Sequence, residues 1–545
     1  MLSGRMMNYP LTVTHFLRRA RDYFPGSEIV SRATDKSLHR ASYEEFYKRS
    51  CQLAHALKKL GVGPGDRVAT LCWNHLPHLA AYFAVPAMGA VVHTLNLRLH
   101  PSEIGYIANH AGDKVVIVDR SLLPLYEKFA GAVRSIERVI VIDDPAVKVP
   151  VSEAYLDYDK LLAAEPTDFD FPDVDENSAA MICYTSGTTG NPKGVVYSHR
   201  STVLHALIAC LGDQLGVRQA DCVLPVVPMF HAAAWGLPYM AVATGAKLVF
   251  PGPHLDPGSL LDLMAEEKAT IAGGVPTIWI GILAMLDKEP KRWDLSTIRA
   301  MVIGGSAAPA TMIDGFSSRH GLEVLHAWGM TETNPLGTVA RLKHHLEKLP
   351  DEERLKIRAS QGYAAPFVDV RHTDDSGKVL PWNGESMGEL EVRGPWVAAS
   401  YFSNEGEDKF TADGWFKTGD VVTIDKEGYV RITDRAKDVI KSGGEWISSV
   451  ALENALMSHP AVLEAAVFAA RHPKWDERPV AAIVLKEGQT ATKEELTAHI
   501  ESRFAKFWLP DDYVFMAQIP RTSTGKFLKS KLREEHGEIL MGKSA

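Results

Sequence analysis

The sequence predicts an α/β protein in two parts. The larger is an N-terminal domain of layered, largely parallel sheets, and the smaller is an α+β C-terminal domain on a hinge. Three observations predict it. Short apolar runs alternate with helical patterns through most of the chain. That texture stops after about Ile424. The 545 residues also exceed what one hydrophobic core normally organises.

The elements follow in order. Residues 1–24 hold no uninterrupted apolar stretch and no clear cleavage site, so they read as a first surface helix beginning near Thr14 and not as a secretion signal. "DRVATLCWN" reads as a strand, "HLPHLAAYFAVPAMGA" as a helix and "VVHTLNLRL" as the next strand. "DKVVIVD", "RVIVID", "AKLVFP" and "IRAMVIGG" repeat the pattern. Continuous apolar runs separated by helices suit parallel strands covered on both faces. Residues 223–246 lack charge and match a bilayer in length. Pro225, Pro228, His231, Gly236 and Pro238 instead suit a buried strand, loop and helix. Residues 428–470 read as a hairpin-like pair of strands, a Gly-Gly turn, a helix and another strand. The expected division is therefore 1–434 and 435–545, the second part being of common domain size. The charged segment "TDRAKD" lies between them as linker or hinge.

Composition narrows the function class. With 46% apolar and 23% charged residues the chain is an ordinary globular protein. A net charge of −8 disfavours general nucleic-acid binding. Five cysteines without a C-x-x-C pair read as buried thiols of a reducing, cytoplasmic protein. No Cys or His spacing suggests a structural zinc.

Residues 184–195 read "YTSGTTGNPKGV". Hydroxyls of Thr185, Ser186, Thr188 and Thr189, the glycines beginning with Gly187, and the cation of Lys193 together suit a run of phosphate oxygens. A polar turn between two strands is the plainer alternative. The loop is not a Walker A motif, because Pro192 replaces its second glycine and Gly194 its Ser/Thr. "GGSAA" at Gly304, Gly305 and Ser306 approaches a nucleophile elbow, but Ala308 replaces the last glycine. "GVGPGD" lacks the last glycine of a dinucleotide fingerprint and precedes a strand.

Together with "HAWGMTET" (326–333), "WFKTGD" (415–420), "TDRAKDVIKSGGEWIS" (433–448) and "RTSTGKF" (521–527), the loop resembles the adenylate-forming superfamily. That superfamily holds acyl-CoA synthetases, luciferases and peptide-synthetase adenylation domains. The motifs occur in the family's order over most of the chain. Within the family the sequence is most similar to short- and medium-chain fatty acyl-CoA ligases, including those acting on 3-methylmercaptopropionate.

The resemblance implies an ATP- and Mg²⁺-dependent acid–CoA ligase. A carboxylate attacks the α-phosphate of ATP to give acyl-AMP and pyrophosphate. The thiol of CoA then displaces AMP. It further implies that Lys526 bridges carboxylate and α-phosphate, that Thr331 bonds that phosphate, and that Glu332 with Thr185 holds Mg²⁺. Trp328, beside Gly329, would stack on adenine, and Asp420 and Arg435 would hold the ribose. Gly304, Gly305 and Ser306 would let backbone approach the nucleotide. Lys437 would be the hinge about which the small domain turns, removing Lys526 and bringing Gly443, Gly444 and Trp446 to a pantetheine tunnel.

The segment "PMFHAAAWGLPY" matches the acyl pocket. His231 would lie near the acyl carbonyl and Trp235 would shorten the pocket, with Gly305 beside them; a core histidine and a core tryptophan are the plain alternatives. The expected partners are a small carboxylic acid, ATP and CoA. No nucleic acid and no stable membrane insertion are expected, and a homodimer follows from the habit of relatives. Longer-chain or aryl acid ligases are the alternatives within the family. A serine hydrolase using Ser306 is the alternative from another class.

Overall fold

The computed structural model describes residues 2–185, 191–436, 438–442, 445–522 and 527–541, with side chains except at Lys441, Glu445 and Trp446. Two large mixed sheets carry the N-terminal part. In the first, six parallel strands lie in the order Val324–Gly329, Ala300–Ile303, Ile271–Gly274, Cys222–Pro225, Lys247–Phe250 and Glu28–Arg32. Antiparallel strands close both edges. In the second, Leu156–Asp157, Arg138–Ile142, Asp113–Asp119, Arg67–Leu71, Val91–Thr94 and Ala179–Tyr184 run parallel in that order. Gly194–Ser198 adds an antiparallel edge.

The strands expected from continuous apolar runs are the interior ones. Val91–Thr94 and Ala300–Ile303 are buried along their whole length. The helix Leu76–Ala87 is apolar on every side and packs on strands of both sheets, which is what a helix between two layers must be. The first helix, Val13–Tyr23, buries Phe16, Leu17 and Ala20 on one face. Residues 223–246 form a strand, a loop, a tight turn and the buried helix Leu237–Thr244. Among the described residues no helix is long and apolar enough to cross a membrane. Cys51, Cys72, Cys183 and Cys222 are buried free thiols, and Cys210 is half-buried.

One expectation needs correction. The run read as a single hairpin-like pair is divided between two sheets. Val430–Arg435 pairs with Phe416–Ile424 as the last strand of a four-stranded antiparallel sheet that also holds Asp369–Thr373 and Gly388–Arg393. Ile440–Ser442 and Glu445–Ile447 form the hairpin of a separate five-stranded sheet built on Val462–His472 and Asp476–Leu485. Alternating side chains read alike whichever sheet receives a strand, so the split is invisible in the pattern. The first half of "TDRAKD" is thus strand, not linker.

The C-terminal sheet and its helices Ser449–Met457, Lys493–Glu501 and Lys529–His536 form a smaller domain with its own buried core. Its contact with the preceding strand is specific. The backbone N–H of Ser449, at the start of its helix, donates to Asp434 Oδ2 at 2.7 Å. Within the small domain Lys529 Nζ pairs with Glu453 at 2.7 Å. Burial opposes the Lys529 ammonium, but Glu453 and Asp434 outweigh it and raise its pKa.

Candidate active site

A cleft of about 560 Å³ opens at the C-terminal ends of the first sheet's strands and runs to the small domain. That is where loops of an open α/β sheet leave room for a ligand. Thr185, Lys193, His231 and Trp235 line it, as do Gly304, Gly305 and Ser306. Trp328, Gly329, Thr331, Glu332, Asp420 and Arg435 complete the set drawn from the sequence motifs. Of the remaining candidates, Ser186, Gly187, Thr188, Thr189, Lys437, Gly443, Gly444 and Lys526, and the side chain of Trp446, lie outside the described residues.

The glycine- and threonine-rich segment connects two antiparallel strands, Ala179–Tyr184 and the edge strand Gly194–Ser198. Tyr184 pairs with Gly194 across it, Thr185 N–H donates to Lys193 O at 2.9 Å, and Lys193 N–H donates back to Thr185 Oγ1 at 3.3 Å. The segment therefore joins two paired strands, a position compatible with phosphate binding.

Strand Val324–Gly329 delivers the next motif. Trp328 is buried, and its indole N–H donates to Asp420 Oδ2 at 2.9 Å. A Cβ on Gly337 would lie 2.4 Å from the indole ring, so only glycine admits it. Asp420 is fully buried on strand Phe416–Ile424, opposite Arg435, whose Nε lies 2.8 Å from Oδ1. That N–H is not aimed at the oxygen, and Oδ1 receives no hydrogen bond. Asp420 thus offers one free acceptor, its other oxygen already being held by the indole.

After Gly329 the chain makes the tight turn Thr331–Thr333. Thr331 O accepts from the Tyr197 hydroxyl at 2.7 Å, and Glu332 O accepts from Ala398 N–H at 2.8 Å. Glu332 is buried and its Oε1 accepts from the Tyr401 hydroxyl at 2.6 Å. A Cβ on Gly329 would stand 1.7 Å from Pro335 O. Gly329→Ala is expected to displace this turn, lowering stability by about 1–3 kcal/mol as overpacking does and slowing any reaction in the cleft at least about tenfold. The urea midpoint and a rate assay together check it.

Part of the cleft wall is an unusual turn. Ala232, Ala233, Ala234 and Trp235 all have left-handed backbone, with φ of 42°, 54°, 50° and 57°. Such residues are individually disfavoured by about 1–2 kcal/mol. They aim the indole of Trp235 at the strand ends. Cβ atoms on Gly304 and Gly305 would lie 3.4 Å and 3.8 Å from it. His231, half-buried, lines the cleft beside it.

Sequence reasoning missed several cleft residues. Tyr401 carries no motif of its own. Asn191 lies inside the quoted loop but was not singled out. His326, the first residue of "HAWGMTET", has a buried Nδ1 with no hydrogen-bond partner, and burial pulls its pKa down to about 4, so it faces the cleft neutral. Cys72, His75 and Asp119 also gather, with one ligand atom from each within 4.8 Å of the others. Their polar atoms are engaged: His75 Nε2 donates to Asp119, and Nδ1 accepts from His78 N–H to cap the helix Leu76–Ala87.

Comparison with known proteins agrees with this geometry. The model of the AMP-binding enzyme family matches residues 17–402, and that of the AMP-binding enzyme C-terminal domain matches residues 451–526. A long-chain-fatty-acid–CoA ligase of Thermus thermophilus is 50% identical over 97% of this chain and 96% of its own. A medium-chain-fatty-acid–CoA ligase of Ectopseudomonas oleovorans is 44% identical over 99% of each. A 3-methylmercaptopropionyl-CoA ligase of Ruegeria lacuscaerulensis is 44% identical over 99% of this chain and 100% of its own. Among solved structures, the anthranilate CoA ligase AuaEII in complex with anthranoyl-AMP superposes with a TM-score of 0.87 at 26% identity, over 98% of this chain and 99% of that one. Family membership replaces the hydrolase reading of Ser306. The chain belongs to the AMP-binding enzyme family and is an ATP-dependent, AMP-forming acid–CoA ligase.

Proposed function

We propose that the acid joined to CoA is of short or medium chain, 3-methylmercaptopropionate among the candidates. The observation that carries this is the indole of Trp235 lying against Gly304 and Gly305 in the wall of the cleft. A bulky ring there shortens the space for an acyl chain. A thioether would meet it favourably, by about 0.3–1.5 kcal/mol. Ligases for medium-chain acids and for 3-methylmercaptopropionate among the relatives support the same size, while the long-chain relative marks the alternative.

In this reading Thr185 and Lys193, with Ser186, Gly187, Thr188 and Thr189, grip the outer phosphates. Trp328 carries the adenine, and Asp420 Oδ1 with Arg435 receives the ribose hydroxyls. Thr331 and Lys526 meet the α-phosphate, Lys526 also drawing in the carboxylate. His231 stands beside the acyl carbonyl. A buried carboxylate with one oxygen held by a hydroxyl, on a phosphate-facing wall, fits Mg²⁺, which takes few carboxylates and keeps substrate oxygens. Glu332, aided by Thr185, would hold it, and when bound it neutralises charge on the phosphate oxygens. The residues following Arg435, with Lys437 as pivot, would let the small domain exchange Lys526 for Gly443, Gly444 and Trp446 during thioester formation. A cytoplasmic homodimer belongs to the same reading.

Incubation with ATP, Mg²⁺, CoA and separate C2–C16 acids plus 3-methylmercaptopropionate tests it. The expected result is AMP with acyl-CoA and a maximum at short or medium length, moving to longer acids in Trp235→Ala. Activity of the unmodified enzyme rising steadily to C16 would overturn the chain-length proposal.

A further inference from the structure

Two opposite charges line the cleft without pairing with each other. Among the described residues no ion pair joins Lys193 of the phosphate loop to Glu332. Tyr401 lies between them. Its hydroxyl donates to Glu332 Oε1 at 2.6 Å, while Lys193 Nζ sits over its ring, 5.2 Å from the centroid. Phe410 and Phe416 pack edge-on against that ring, at 5.7 Å and 6.5 Å. Gly406, with φ of 64°, backs the ammonium so closely that a Cβ there would come within 2.5 Å of Nζ and 3.1 Å of the ring. The main chain three residues before Tyr401 also grips Glu332, through Ala398 N–H. Tyr401 is 6% exposed, and its hydroxyl is the donor in the hydrogen bond to the Glu332 carboxylate.

We propose that Tyr401 is a positioning residue that keeps Lys193 and Glu332 from neutralising each other and aims each at a different part of a metal–triphosphate. A direct Lys–Glu pair in a buried site would satisfy both charges internally and leave neither for the substrate. An aromatic face attracts an ammonium without cancelling its charge. A hydroxyl donor fixes one carboxylate oxygen and leaves the other for a cation. The arrangement therefore holds two usable opposite charges on one side chain, the ammonium over its ring and the carboxylate at its hydroxyl. This inference rests on the proposed roles of Glu332 and Lys193.

The test follows the first half-reaction alone, as pyrophosphate release from ATP and acid without CoA, over a range of Mg²⁺ concentrations. Tyr401→Phe keeps the ring and removes only the hydroxyl. The Mg²⁺ concentration for half-maximal rate is expected to rise about tenfold, as for loss of a hydrogen bond to a charged group, with the KM for the acid unchanged. Tyr401→Leu removes the ring as well, and its ATP KM is expected to rise about tenfold beyond that of the Phe variant. That extra rise should disappear when Lys193 is already Met, because contacting residues are not additive. A Mg²⁺ curve for Tyr401→Phe that overlays the unmodified enzyme overturns the inference, whether or not the Leu variant folds. Fully additive Tyr401→Leu and Lys193→Met effects overturn the spacer role. If Glu332→Gln keeps the unmodified Mg²⁺ dependence, the metal reading itself has failed and the inference falls with it. If Glu332→Gln loses that dependence while Tyr401→Phe keeps it, only the inference fails.

Discussion

Glu332→Gln is expected to slow acyl-AMP formation by about 10²- to 10³-fold, the range for removing one preorganised charge-stabilising group. That range corresponds to about 3–4 kcal/mol of barrier. Glutamine has the same shape, and its side-chain oxygen can still accept from Tyr401, whose hydroxyl lies 2.6 Å from Glu332 Oε1. The melting temperature should therefore change little. The loss should fall on the first half-reaction. CoA attack on supplied acyl-AMP transfers no phosphoryl group and should proceed near the unmodified rate. Single-turnover pyrophosphate release, beside thioester formation from synthetic acyl-AMP, separates the two. Equal losses in both steps, or none in the first, would overturn the role assigned to Glu332.

Asp420→Ala carries the second large effect, and it acts on stability and on nucleotide binding together. The carboxylate is fully buried and receives the Trp328 N–H at 2.9 Å. Its removal leaves an indole donor buried without an acceptor, a loss of about 1–3 kcal/mol. Arg435, the other neighbour, is about one-third exposed, so water compensates most of its lost pairing. The ribose would lose its charged acceptor at the same time. The ATP KM is expected to rise between about tenfold and a hundredfold, from one or two hydrogen bonds to a charged group. A thermal melt and an ATP titration check both parts. A lowered melting temperature with unchanged ATP KM would make Asp420 a support for Trp328 alone.

The interior strands were legible because burial on both faces leaves a continuous apolar signature, as at Val91–Thr94 and Ala300–Ile303. Loop chemistry was legible where small residues and charges crowd together, as from Thr185 to Lys193. What escaped depends on contacts distant in sequence. Trp328 and Asp420 are 92 residues apart, and only the folded chain shows that the indole occupies one of the carboxylate's oxygens. Tyr401 stands 69 residues from Glu332 in a stretch with no recognisable spacing. The left-handed turn at Ala232, Ala233 and Ala234 is hidden for a different reason. Glycine is the residue that normally announces such backbone, and here alanine adopts it because the surrounding packing dictates the conformation. The division of residues 428–448 between two sheets escaped because alternation specifies a face but not a partner.

The cleft takes its walls from both domains: Glu332 and Asp420 on one side, Val450, Glu453 and Lys529 on the other. A molecule that touches both walls adds to the coupling that Ser449 and Asp434 already give the two folding equilibria. By mass action, a ligand at a hundred times its dissociation constant adds about 2.7 kcal/mol to whichever arrangement it prefers. Shared between two cores, that increment favours cooperative unfolding of both while the ligand is present. Its release weakens that coupling. Turnover would then alternately tighten and loosen the coupling between the two cores.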